Sequence, residues 1–282
     1  MTFTTLISTT DLAHHGADPR VVIVDCRFTL DDPAWGHRAY LESHVPGAVY
    51  MNLDTDLSGP KTEGSGRHPL PDPVVLAETL GSLGISRSVQ VVAYDQDNGM
   101  YASRLWWLLR WLGHDAVAVL DGGFRKWTDE KRPVVVDTSR RPPVLFDSAL
   151  RPEMIADAGE VALRLGAPDW RLVDARAPER YRGDVEPLDK VAGHIPTAVN
   201  HFFQSNLTDG GTMRAPADLR ARFKEALGDT RPDHVVNYCG SGVTACQNLL
   251  ALEHAGLVGA KLYPGSWSEW SSDPSRPVEK TR

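Results

Sequence analysis

Short apolar runs rich in valine punctuate the chain: VVIVD (21–25), VQVVAY (89–94), AVAVLDG (116–122), RLVDA (171–175) and VVNY (235–238). Between them lie longer segments with helical patterning, such as DPVVLAETLGSLG (72–84) and ADLRARFKEALG (217–228). Runs this short and this continuously apolar suit strands buried on both faces. Their alternation with helices predicts an α/β fold, in which mostly parallel sheets are flanked by helices.

The pattern occurs twice. VVIVDCRF (21–28) is echoed by WRLVDARA (170–177), SHVPGAVYMNLDTDLS (43–58) by GHIPTAVNHFFQSNLT (193–208), and the segment 89–127 by 234–270, at an offset of about 145 residues. Solenoid repeats are far shorter and cannot fold alone. The repeat therefore predicts a duplicated domain, with boundaries at 1–143 and 144–282. DTSRRPPVLFDSALRPE (137–153), polar and proline-containing, is expected to be an exposed linker.

Composition narrows the function. With 282 residues and 41% apolar content the chain can bury two cores. A formal net charge of −7 argues against nucleic-acid or anionic-membrane partners, which call for a basic field. The first residues, MTFTTLISTTDLAHH, place no Lys or Arg ahead of an apolar region, and no apolar run approaches the roughly 18 residues that span a bilayer. A cytoplasmic location is expected. Three cysteines, Cys26, Cys239 and Cys246, form no C-x-x-C pair, which points away from a disulfide framework or a zinc site.

Cys239 stands apart from the other two. HVVNY reads as a strand, ACQNLLALEHAG as a helix stopped by Gly256, and CGSGVT as the turn between them. Open α/β sheets place ligand sites at such strand ends. Gly240 and Gly242 let the backbone bend around one point, so that N–H groups converge on the thiol, and the following helix adds partial positive charge. Both effects favour a thiolate, making Cys239 a candidate nucleophile. In the first copy the corresponding residue is Asp95, in a loop one residue longer, so that copy cannot do thiol chemistry there. Cys26 and Cys246 read as core residues.

These motifs, with LDGGFRKW, DARAPERYRG and YPGSWSEW, make the chain resemble the two-domain rhodanese superfamily of sulfurtransferases over most of its length. Within that superfamily CGSGVTA looks like the loop of 3-mercaptopyruvate sulfurtransferases, because thiosulfate enzymes carry basic residues after the cysteine. The resemblance implies a Ser-His-Asp set of Ser241, His68 and Asp54 that spans the domain interface. It also implies a substrate-carboxylate clamp of Arg67 and Arg180, with Gly240, Gly242, Val243 and Thr244 completing the substrate-binding turn. The basic residue that some relatives carry after the Glu-Pro is not clearly matched here: Glu186–Pro187 is followed by Leu188, and Lys190 is the nearest cation.

The implied chemistry is sulfur transfer through a persulfide on Cys239, from 3-mercaptopyruvate or thiosulfate to cyanide or an acceptor thiol such as thioredoxin, with no metal or organic cofactor. Two other readings are weaker. A C-x5-R phosphatase needs arginine where Ala245 stands, and a non-catalytic rhodanese-like binding protein is at odds with the retained cysteine.

Overall fold

A computed structural model describes residues 2–281. The chain divides into two compact units, one holding residues up to Gly59 with Leu70–Arg151 and Asp209–Thr212, the other Pro60–Pro69, Pro152–Thr208 and Met213 onward. The first unit contains β1 (Leu6–Ile7), β2 (Val21–Asp25), β3 (Val49–Tyr50), β4 (Gln90–Tyr94) and β5 (Val117–Leu120), in the order β1-β5-β4-β2-β3 and parallel throughout. The second contains β6 (Arg171–Asp174), β7 (Val199–Asn200), β8 (Val235–Tyr238) and β9 (Lys261–Leu262), in the parallel order β7-β6-β8-β9. Ile155 bridges Leu262 in parallel. It takes the place that β1 holds in the first sheet, so the two topologies match. The α/β class read from the apolar runs is therefore observed, twice.

The helices begin and end where their sequences dictate. Asp72 caps Pro73–Ser82 by accepting hydrogen bonds from the Val74 and Val75 amides at 2.8 and 3.2 Å, and Pro73 occupies the first turn, where no N–H is needed. In Pro216–Leu227 the buried positions are Leu219, Phe223 and Leu227, one stripe at helical spacing. Ile23, Val92, Tyr94, Leu120 and Trp127 share the first core; Leu172, Val236, Tyr238, Tyr263, Trp267 and Trp270 share the second.

The segment 137–153 is largely exposed, as expected of a linker, but it is also fastened down. The Val144, Ala149 and Arg151 amides donate to the carbonyls of Gly81, Leu112 and Trp111 at 2.8–2.9 Å, Phe146 is buried, and Arg151 makes a bidentate pair with Asp115. Backbone pairing and one aromatic anchor fasten it to the first unit, and the chain changes units at Arg151–Pro152. Its composition reads as linker because these bonds are made by the backbone, which sequence does not display.

Each unit repeats one buried corner. Asp25 binds the Arg27 guanidinium and Arg27 Nη2 donates to the Ser43 carbonyl at 2.6 Å; Asp174 binds Arg176 and Arg176 Nη2 donates to the Gly193 carbonyl at 2.7 Å. Both carboxylates are fully buried. Replacing Arg176 by Met leaves Asp174 without its counter-charge and should cost about 3–5 kcal/mol, the range for breaking a buried pair by removing one partner. Urea unfolding followed by tryptophan fluorescence measures it; a loss below about 1 kcal/mol, the size of an exposed pair, would show that water reaches the corner.

Candidate active site

The loop Cys239–Val243 leaves the carboxyl end of β8, an interior strand of the second sheet, and enters the helix Thr244–His254. The helix closes at His254, with Gly256 at φ +79° just beyond it. Gly242 is required twice over: its φ is +77°, and a Cβ there would lie 2.4 Å from the Pro264 carbonyl oxygen. The loop is braced from the following turn. The Trp267 and Ser268 amides donate to the Cys239 and Gly240 carbonyls at 3.0 and 2.9 Å, while the Cys239 amide donates to Ser266 Oγ at 3.1 Å.

Cys239 is 2% exposed. Burial works to raise its pKa, yet hydrogen bonds from the Thr244 hydroxyl and from the amides of Ser241, Ala245 and Val243 together outweigh it and lower the thiol below its ordinary value. Cys26 goes the other way: burial, then Asp25, push its pKa well up. In the first unit the same loop form encloses a carboxylate. Asp95 Oδ1 accepts from the Asp97 and Gly99 amides, and Oδ2 from Tyr101 and Ala102, at 2.8–3.2 Å. Burial still lifts its pKa to about 6.

Around the loop of the second unit, Ser241 Oγ and His68 Nδ1 share a hydrogen bond of 2.7 Å, both residues being buried. Arg67 and Arg180 come close to Gly240: a Cβ there would lie 2.8 Å from Arg67 Nη2 and 3.6 Å from both terminal nitrogens of Arg180. The Arg67 amide donates to Ser268 Oγ at 3.0 Å. Arg67 and His68 fall in the first copy by sequence, but by contacts they group otherwise. They lie in Pro60–Pro69, which packs with the second unit, whereas Asp54 belongs to the first. A segment distant in sequence from its packing partners gives no local signal of this exchange.

Three residues pointed to no role in the sequence. Glu186 Oε1 accepts from Arg180 Nη2 at 2.6 Å and from the Leu188 and Asp189 amides at 3.1 and 3.2 Å, and its Oε2 meets Arg176 Nη1 at 3.2 Å. Asp189 pairs with Arg67. Ser266 joins the Cys239 amide to the Tyr263 carbonyl. The repeated YPGSWSEW motif was the available signal for Ser266. Nothing local marked the two acidic residues, and Leu188, in the place of the missing cation, is exposed.

The model of the Rhodanese-like domain matches residues 8–130 and 157–273. A Pseudomonas aeruginosa protein named "Probable 3-mercaptopyruvate sulfurtransferase" is 45% identical over 97% of each chain. The Bos taurus thiosulfate sulfurtransferase is 35% identical over 89% of this chain and 85% of its own. The solved 3-mercaptopyruvate sulfurtransferase from Leishmania major superposes with a TM-score of 0.83 at 29% identity, covering 95% of this chain and 74% of that one.

The hydrogen bonds to Cys239 generate a test. Thr244→Val removes one donor while keeping the volume, so the Cys239 pKa should rise toward the ordinary thiol value of about 8.5. Thiolate absorbance titrated in the ultraviolet, with Cys239→Ser as blank, reads the shift. A midpoint unmoved by the substitution would mean that the amides alone hold the thiolate.

Proposed function

Since this chain belongs to the rhodanese-like family, we propose that it is a sulfurtransferase that takes sulfur from 3-mercaptopyruvate and passes it, through a persulfide on Cys239, to a thiol or to cyanide. The observation that carries this reading is the lowered Cys239 pKa in a loop whose amides converge on the sulfur. The names of the relatives at 45% and 29% identity support the donor.

The Cys239 thiolate attacks the donor sulfur. The carbon–sulfur bond breaks with its electron pair passing to the methylene carbon, and the resulting pyruvate enolate takes up the proton that left the donor thiol. Cys239 is left as a persulfide, whose outer sulfur is then attacked by the acceptor, regenerating the thiolate. This is covalent, two-step catalysis. The loop amides stabilise each anionic sulfur in turn. Ser241, hydrogen-bonded to His68, moves the proton. Arg67 and Arg180 hold the donor carboxylate, a task suited to planar, always-charged guanidinium groups. Gly240, Gly242, Val243 and Thr244 shape the turn that receives the sulfur. The acceptor is a cellular thiol such as that of thioredoxin, in the cytoplasm; among the described residues no helix is long and apolar enough to cross a membrane.

Thiosulfate is the second reading, favoured by the bovine relative and by the two arginines beside Gly240. Against it stands the loop itself, in which Gly240 and Ser241 carry no charge.

A donor screen with purified protein decides between them. Pyruvate and thiocyanate should form from 3-mercaptopyruvate and cyanide, and with donor alone the Cys239 peptide should gain one sulfur by mass spectrometry. Sulfur found only on Cys26 or Cys246 would refute the assignment. Cys239→Ser should abolish turnover. Gly240→Arg combined with Ser241→Lys should shift the kcat/KM ratio toward thiosulfate by at least about tenfold, which needs only ~1.4 kcal/mol of differential transition-state binding. An unchanged ratio in a folded variant would place donor choice outside the loop.

A further inference from the structure

Both guanidinium groups assigned to the donor carboxylate already face protein carboxylates, and the two acidic residues differ in how firmly they are held. Glu186 is fixed: its oxygens accept from two backbone amides and from both Arg176 and Arg180, and its side chain is 3% exposed. Asp189 is held by far less. Its Oδ1 accepts from Arg67 Nη1, while Oδ2 lies 3.6 Å from Arg180 Nη2 and accepts no hydrogen bond among the described residues. That oxygen is buried, with the Asp189 side chain 8% exposed.

A buried carboxylate oxygen facing a guanidinium without bonding to it is a poor arrangement for the aspartate and a ready one for a better-placed anion. The aspartate also has somewhere to go. A cavity of about 440 Å³ lies against the pair, lined by Arg67, Asp189, Lys190, Lys61 and Ser268 among others. Arg67 also comes close to Gly240, next in sequence to the almost fully buried Cys239.

We propose that Asp189 is a specificity-determining positioning residue: its carboxylate occupies Arg67 and faces Arg180 in the resting protein, and a donor gains the clamp by displacing it. This rests on the reading that the two arginines receive the donor carboxylate. A molecule without a carboxylate cannot make the exchange, because it would leave Asp189 without its partner and gain no ion pair in return. The arginines supply the preference for carboxylate-bearing donors over neutral sulfur compounds, and Asp189 tempers it, because an incoming carboxylate must first displace the internal one.

Two alkylating reagents with the same reacting carbon test this without any sulfur donor. In iodoacetate and iodoacetamide the Cys239 sulfur forms a bond to the methylene carbon and iodide leaves with the bonding pair; only iodoacetate carries a carboxylate. Rates at Cys239 of the full-length protein are followed by peptide mass spectrometry. Asp189→Asn should raise the iodoacetate-to-iodoacetamide rate ratio at least about fivefold, because the arginines no longer pair with an internal anion. Asp189→Glu, which keeps the charge, should stay near the parent. Asp184→Asn changes net charge equally at an exposed residue paired with Arg182, and should leave the ratio unmoved. Should Asp189→Asn fail to fold, Asp189→Ala is read in the same way; failure of both would overturn the proposal by making Asp189 structural. An unchanged ratio, or an equal rise in Asp184→Asn, would also overturn it. A raised ratio in a protein that makes no pyruvate from 3-mercaptopyruvate would sink the proposed function and leave the Asp189 inference standing. Turnover with an unchanged ratio would do the reverse.

Discussion

The buried pair between Asp174 and Arg176 is the contact from which the geometry of the second unit's site propagates. Asp174 ends β6 and is fully buried. Burial works against the Arg176 charge, and Asp174 outweighs it, raising the guanidinium pKa further. Once charged and fixed, Arg176 spends its remaining donors on the Gly193 carbonyl and on Glu186. Glu186 in turn orients Arg180 and the amide of Asp189, and Asp189 meets Arg67. A pair of this kind contributes little net stability, since desolvation of both charges offsets their attraction. Its contribution is directional: each link leaves one hydrogen-bonding direction for the next.

The duplicated corner in the first unit isolates what the site adds to the scaffold. Asp25, Arg27 and Tyr94 repeat the arrangement of Asp174, Arg176 and Tyr238, and Arg27 lies 4.1 Å from the Phe124 ring centroid where Arg176 lies 4.8 Å from that of Trp267. Both strand-end loops converge amides on one buried acid. In the first the acid is Asp95, whose pKa burial lifts to about 6 against four amides. In the second it is Cys239, where the donors win. Around Cys239 the Thr244 hydroxyl joins the amides, whereas the hydrogen bonds described for Asp95 come from amides. The nest is thus a property of the fold, and the group it encloses differs between the two units.

How much of this was legible follows from the range of the interactions concerned. The continuous apolar runs gave the parallel strands, since burial on both faces leaves no other pattern, and the repeat gave the duplication. CGSGVT announced the nest because glycine at a positive-φ position, realised at Gly242, is a local demand. The Ser241–His68 contact was reached only through a family resemblance: it joins residues 173 apart in sequence. Asp189 and Glu186 were hidden for a different reason. Acidic residues in a polar loop read as solvated, and only the fold shows that Arg67, Arg176 and Arg180 converge on them. The backbone bonds that fasten the exposed segment 137–153 to Gly81, Leu112 and Trp111 were hidden for a third, because backbone pairing leaves no mark on the side chains.

Placing the positive charge outside the catalytic loop has a physical consequence for the proposed reaction. A cation on residue 240 or 241 would sit beside the sulfur permanently, stabilising the resting thiolate and the persulfide alike and so lowering the reactivity of both. Arg67 and Arg180 approach the loop at Gly240 but are engaged by carboxylates of the protein. Their charge is partly neutralised until a substrate anion takes the place of Asp189. The thiolate can then be held mainly by amide and hydroxyl dipoles, which do not change with substrate, while the full charges respond to the donor. Glycine at 240 suits this separation, since even a methyl group there would lie 2.8 Å from Arg67 Nη2 and require that guanidinium to shift.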